Sequence, residues 1–204
     1  LAYQRVPRPL VTVPPQRFVE ITPDKSNANL QGVLALPISD RHSDHAALSL
    51  ANYIFGLGGN SRLWTRIRET EGLSYDVRSV LGWSSTDDNT PWTVTAIFAP
   101  GNQPKVEAAL KEELVRSLKD GFTQQELDEA KKGLLAARTH ARAQDGVLAS
   151  ALANNLYLGR TFAIAAQVDA AIAKLTLEQV NAALRKYLTP ERFVSAFAGD
   201  FKGP

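Results

Sequence analysis

From Tyr75 to Phe98 the side chains alternate in character, and this alternation constrains the fold more than any other feature of the chain. Tyr75, Val77, Ser79, Leu81 and Trp83 fall on one face of an extended segment, and Trp92, Val94, Ala96 and Phe98 on one face of another, because successive Cβ atoms of a strand point to opposite sides. Between them, Ser84 to Pro91 has turn composition, with Asp87, Asp88 and Asn89 together. The two runs predict an antiparallel hairpin. A lone hairpin is marginally stable in water, so it needs further strands and a covering layer. Arg17 to Thr22 and Leu30 to Ile38 read as strands ahead of it, the second closed by Pro37. Arg192 to Ala198 reads as a closing strand.

The covering layer is helical. Ser43 or Asp44 can cap a helix to about Leu57, in which Ala47, Leu48, Ala51, Ile54 and Phe55 recur at helical spacing. Gly56, Gly58 and Gly59 are expected to end it by accepting the left-handed conformation. Arg62 to Thr70 reads as a short helix. Pro104 stands where a helix can begin, and Val106, Leu110, Leu114 and Leu118 form its stripe as far as Gly121. Thr123 with Glu126 and Thr176 with Gln179 each spell a capping box. They open helices to about Gln144 and through Tyr187, the second stopped by Pro190. Val147 to Leu158 and Ala163 to Leu175 are two more helical segments, parted near Gly159. Strands, then helices, then one strand predict an α+β fold: a largely antiparallel sheet with helices packed on one face. Residues 1–16, rich in Pro, read as an extended arm or linker to something upstream, and residues 17–204 as a single domain.

Composition narrows the function. With 44% hydrophobic and 22% charged residues, the chain has ordinary globular composition. No apolar run approaches the ~18 residues of a membrane span. The net charge of +2 comes from interspersed basic and acidic residues, which argues against a nucleic-acid surface. The absence of Cys excludes disulfides, a thiol nucleophile and thiolate metal ligands.

Most catalytic signatures are missing. No Ser lies in a G-x-S-x-G elbow. The Gly-rich turn is followed by no Lys-Ser/Thr and comes after a helix, unlike a phosphate loop. Asp87 and Asp88 are adjacent and read as a turn. His42 and His45, in H-S-D-H, are one residue short of the i, i+4 zinc spacing, with no third ligand evident. They read as a surface loop and helix start, and His140 as an isolated helix residue. No metal ligand and no catalytic residue is assigned within the chain. Arg68 and Tyr75 remain, seven residues apart across Gly72. From the residues alone, Arg68 reads as a solvated helix position and Tyr75 as a strand residue packed beside Val77 and Leu81.

The run from Gly56 to Tyr75, GLGGNSRLWTRIRETEGLSY, resembles the C-terminal-type domain of the pitrilysin/insulinase family of zinc metallopeptidases. It has the small-residue turn, then Ser61-Arg62-Leu63, then Arg68-Glu69 and Gly72-Leu73-Ser74-Tyr75 ahead of a strand. The resemblance covers roughly residues 17 to 200, with Ala198 to Phe201 (AGDF) as weaker support. It implies one half of a two-half chamber. Arg68 and Tyr75 would bind the substrate backbone and steady the tetrahedral intermediate. Zinc would sit on a partner domain or subunit carrying H-x-x-E-H, a string this chain lacks, and peptides or unfolded proteins would be hydrolysed between the halves. A catalytically inactive scaffold of the same superfamily is the alternative, and a small-molecule binding module has no supporting motif. The isolated chain is expected to be inactive. The compartment stays open, and the resemblance admits a bacterial periplasm.

Overall fold

A computed structural model describes residues 3–201. Five strands form one sheet: β1 (Arg17–Ile21), β2 (Ala28–Leu36), β3 (Ser74–Leu81), β4 (Thr90–Phe98) and β5 (Val194–Gly199). Their spatial order is β1-β5-β2-β4-β3. Every neighbouring pair is antiparallel except β1 with β5. The hairpin forms as the alternation predicts, with Leu81 opposite Trp92 and Val77 opposite Ala96. Trp92, Val94, Ala96 and Phe98 of β4 join Ala28, Leu30, Leu34 and Leu36 of β2 on the buried face. Asn29 and Gln31 on the other face stay exposed.

A helical layer covers the buried face, built from α1 (His45–Asn52), α2 (Gln103–Asp120), α3 (Gln124–Arg142), α5 (Ala163–Lys174) and α6 (Leu177–Tyr187), while α4 (Asp145–Tyr157) packs on α3. Leu48, Leu50 and Ala51 of α1 and Val180 and Leu184 of α6 are fully or almost fully buried. Both predicted capping boxes form. The Glu126 N–H donates to Thr123 Oγ1 (3.2 Å) while Glu126 Oε2 accepts from the Thr123 N–H (2.7 Å), and Thr176 with Gln179 does the same. Among α4 residues none is buried.

Two details depart from the sequence reading. α1 runs straight into a π-helical turn, Tyr53–Leu57, where the Gly58 N–H reaches the Tyr53 carbonyl (2.9 Å). No left-handed residue ends it: Gly58 has φ −69°, and the left-handed glycines are Gly72, Gly121 and Gly159. Gly56 is there for contact instead. A Cβ on it would lie 2.4 Å from Ser79 Cβ, so the turn packs directly on β3. That contact seals a buried polar chain. The Trp92 Nε1–H donates to Ser79 Oγ (2.6 Å), Ser79 Oγ donates to Asn52 Oδ1 (2.6 Å), and Asn52 Nδ2 donates to the Ser79 carbonyl (3.0 Å). Each buried polar atom so paired avoids a desolvation cost of about 1–3 kcal/mol.

Residues 3–16 carry no helix or strand, yet they are tied down. Arg5 forks onto Asp87 in the β3–β4 turn, both contacts at 2.7 Å, and the Arg8 N–H donates to the same carboxylate. Arg5, opposed by partial burial and aided by Arg8, holds the Asp87 carboxyl down at about 2.

Candidate functional site

Arg62 to Thr70 does not form an ordinary α-helix. Trp64–Thr70 is π-helical, with the Glu71 N–H on the Arg66 carbonyl (3.0 Å). Such segments are rare and concentrate at functional sites. Leu63 and Ile67 are fully buried and anchor it. The chain then reverses at Gly72, whose φ of +60° suits glycine. The Leu73 N–H caps the segment on the Ile67 carbonyl (2.9 Å), and Asn102 Nδ2 donates to the Leu73 carbonyl (3.0 Å).

β3 then opens with a bulge. Ser74 pairs with Phe98 and Asp76 with Ile97, so Tyr75 is the extra residue. Ser74 Oγ fixes the distortion through the Asp76 and Ile97 carbonyls, 2.7 Å each. A bulge re-aims a side chain. Here it lifts Tyr75 off the face it would share with Val77, leaving it 75% exposed while Val77 is buried. Tyr75 therefore does not pack beside Val77 and Leu81.

Tyr75 and Arg68 come together. The Arg68 guanidinium carbon lies 4.0 Å from the Trp64 ring centre and 5.8 Å from that of Tyr75. Trp64 is held by its own Nε1–H, which donates to Glu69 Oε1 (3.0 Å), and Arg78 approaches the same ring at 5.7 Å. Among the described residues, neither Arg68 nor the Tyr75 hydroxyl has an ion-pair or side-chain hydrogen-bond partner. Arg78 is committed to Asp76. Stacking thus orients the Arg68 fork without neutralising it. Trp64 escaped sequence reasoning because nothing local shows that its ring lies under Arg68; only the four-residue helical spacing hints at it.

The other motif residues are structural. Arg62 forks onto Glu126 (2.6 and 2.8 Å), donates to the Gly121 carbonyl (2.8 Å) and stacks over Phe122. Burial alone would raise the Glu126 carboxyl, but Arg62 and the Thr123 N–H outweigh it and hold it below its ordinary value. Arg66 is also spoken for, by Glu71 and Glu112. Glu113, fully buried within α2, is ringed by Arg62, Arg66 and Arg116 at 3.9, 3.8 and 2.9 Å.

The histidines lie elsewhere and do different jobs. His42 Nδ1 accepts from the Asp44 N–H (3.1 Å), and Asp44 in turn takes Lys186 and the Tyr187 hydroxyl. His45 stands edge-on to Trp83, with ring centres 4.4 Å apart. Among the described residues no three His, Asp or Glu side chains could hold a metal ion together, so the residues present do not fit a zinc site. Nor is any helix there long and apolar enough to cross a membrane.

Comparison with known proteins agrees with this architecture. A non-peptidase homolog from Helicobacter pylori is 30% identical over 151 residues, which is 71% of this chain and 33% of that protein. A protein of Mycobacterium leprae named as an uncharacterized zinc protease is 29% identical over 197 residues, 88% of this chain and 43% of its own. The crystal structure of a peptidase M16 inactive domain from Pseudomonas fluorescens superposes with a TM-score of 0.83 at 26% identity, covering 97% of this chain and 47% of that one. The chain spans less than half the length of each of these relatives. The family profile described as peptidase M16 inactive domain matches residues 2–134, which contain the whole Gly56–Tyr75 run, and the chain belongs to that family.

Proposed function

We propose that this chain is the metal-free half of a two-half zinc peptidase and that Arg68 and Tyr75 bind the substrate backbone beside the other half's metal. The observation that carries this reading is the state of Arg68: stacked on Trp64, beside an exposed Tyr75, and without a carboxylate partner among the described residues. A guanidinium fixed by stacking keeps its N–H fork for a carbonyl oxygen. A phenol hydroxyl can donate to a developing oxyanion, and donors already in place need no reorganisation during reaction. In this reading zinc belongs to an H-x-x-E-H half, upstream in the same polypeptide or on a partner subunit. The greater length of the relatives leaves room for one. Peptides or unfolded segments enclosed between the halves are the substrates. A bacterial periplasmic location belongs to the same reading on family grounds, and cell fractionation tests it.

The test is peptide hydrolysis by the chain assembled with its zinc half. Arg68→Ala and Tyr75→Phe should each lower kcat/KM by about 10²–10³, the usual loss for one oxyanion-type donor. Full activity in both variants removes these residues from the site. A scaffold role is the second reading, favoured by the Helicobacter pylori relative named as a non-peptidase homolog. An intact complex that hydrolyses nothing would select it.

A further inference from the structure

An open cleft of about 370 Å³ lies near Trp83, past the far end of β3 from Tyr75, roughly 25 Å away at about 3.3 Å per strand residue. Its size is that of a small-molecule site. The β3–β4 turn, the start of α1, the end of α3, and α4 and α5 all contribute walls. Three guanidiniums line it, Arg138, Arg142 and Arg160, against one carboxylate, Asp40. Arg160 and Asp40 satisfy each other through two contacts of 2.7 and 2.8 Å. Arg138 and Arg142 both converge on Asp169, which backs the wall and takes one N–H from each. A guanidinium carries five N–H donors, so this wall holds far more donors than acceptors. The side-chain amides of Asn154 and Asn155 line the same space, and among the described residues they have no hydrogen-bond partner. Apart from Ser85 and His45, the remaining lining is apolar and partly aromatic, with Trp83, Leu158, Phe162 and Val168 the larger side chains. His45 sits beside Trp83. Its pKa is lowered by burial and by Arg138 and Arg160 against the pull of Asp40, so it adds no charge at neutral pH.

We propose that this cavity binds a small organic carboxylate with a flat apolar body. The Arg138–Arg142 wall takes the carboxylate through the N–H donors left over after Asp169 has taken one from each guanidinium. Trp83 and Phe162 hold the body. An inorganic anion would leave the apolar half unfilled, and an uncharged ligand would leave the surplus donors to water. The site is separate from Arg68 and Tyr75, so it stands or falls independently of the peptidase reading.

The probe is 3-phenylpropionate, titrated into the ¹⁵N-labelled 204-residue chain while the Trp83 indole N–H signal is followed. That signal is one of three and is assigned by its loss in Trp83→Phe. General per-atom limits for small ligands place the affinity at roughly millimolar or somewhat tighter. A saturable shift is expected. Arg142→Gln should weaken binding by about tenfold or more, and 3-phenylpropanol should bind weaker than the acid by a similar factor. Ala151→Leu adds bulk to the cavity from α4, at a residue that itself makes no ion pair, and should abolish binding. The proposal is overturned if the folded wild type shows no saturable shift, if the alcohol binds as tightly as the acid, or if Ala151→Leu leaves binding unchanged. Inorganic phosphate binding as tightly as the probe would also overturn it, by showing that charge alone is read.

Discussion

Gly56 and Gly59 stand three residues apart in one Gly-rich turn, and they obey different constraints. A Cβ on Gly56 meets Ser79 Cβ at 2.4 Å and the Ser79 backbone nitrogen at 2.9 Å, whereas one on Gly59 meets nothing within 4 Å. Neither has a positive φ. Gly56→Ala should therefore cost about 1–3 kcal/mol through overpacking. Gly59→Ala should be neutral or stabilising by up to about 1 kcal/mol, because it restricts only the unfolded chain. Urea denaturation of both variants separates close packing from a left-handed turn, which would penalise both. The same measurement applied to the site separates its two residues. Arg68→Ala loses the stack on Trp64 and should cost about 0.5–1 kcal/mol. Tyr75→Phe should change stability by less than about 0.5 kcal/mol, since the side chain is 75% exposed and its hydroxyl has no partner among the described residues.

At the scale of elements, the start of α3 joins a cap to an ion pair through one residue. Glu126 closes the capping box with Thr123 and also receives the Arg62 fork. Glu126→Gln keeps the box, because Gln serves at that position too, and removes the charge that Arg62 grips. The cost at pH 7 should be about 1–2 kcal/mol, at or below the low end of the ~1.5–3 kcal/mol for a hydrogen bond to a charged group because Glu126 is only partly buried. The sign with pH follows from the lowered Glu126 pKa. A carboxyl depressed on folding stabilises above its unfolded pKa, about 4.3, and loses that contribution as pH falls through the folded value. The gap between wild type and Glu126→Gln should be full at pH 6 to 7 and close progressively below about pH 4. A gap that stays constant to pH 3 would refute the role of the charge. Elements of this kind were legible in sequence because their signals are local: both capping boxes, the hairpin and the α2 stripe form as read. The bulge was not legible. Reading period two from Tyr75 onward assumes that no residue is inserted, and the insertion depends on Ser74 reaching the Ile97 carbonyl on another strand. The π-helical turns escaped because apolar spacing is nearly the same for four- and five-residue hydrogen bonding. Glu113 escaped because two of its three guanidinium partners lie about 50 residues away in sequence.

For the whole molecule the question is what the chain does without the zinc-bearing half proposed for it. His42, Asp44 and His45 are close in sequence, but Asp44 is engaged by Lys186 and Tyr187 and His45 packs on Trp83. The purified chain should therefore retain no stoichiometric zinc after dialysis and should not cleave a mixed peptide library. One tightly bound zinc with chelator-sensitive cleavage would overturn the proposed division of labour. Mixed with a zinc-bearing H-x-x-E-H half, the chain should form a one-to-one complex by size exclusion. A stable interface buries at least about 1,000 Å² in total, so some exposed side chains must become protected. If Arg68 and Tyr75 face the chamber, they should stay reachable by a peptide in the complex while becoming inaccessible to a large probe. Tyr75→Cys supplies the readout, since the chain has no other Cys. A small maleimide should label it in both states, and a bulky polymer-linked maleimide only in the free chain. Equal labelling by the bulky reagent in both states would place Tyr75 on the outside of the assembly and remove it from the site.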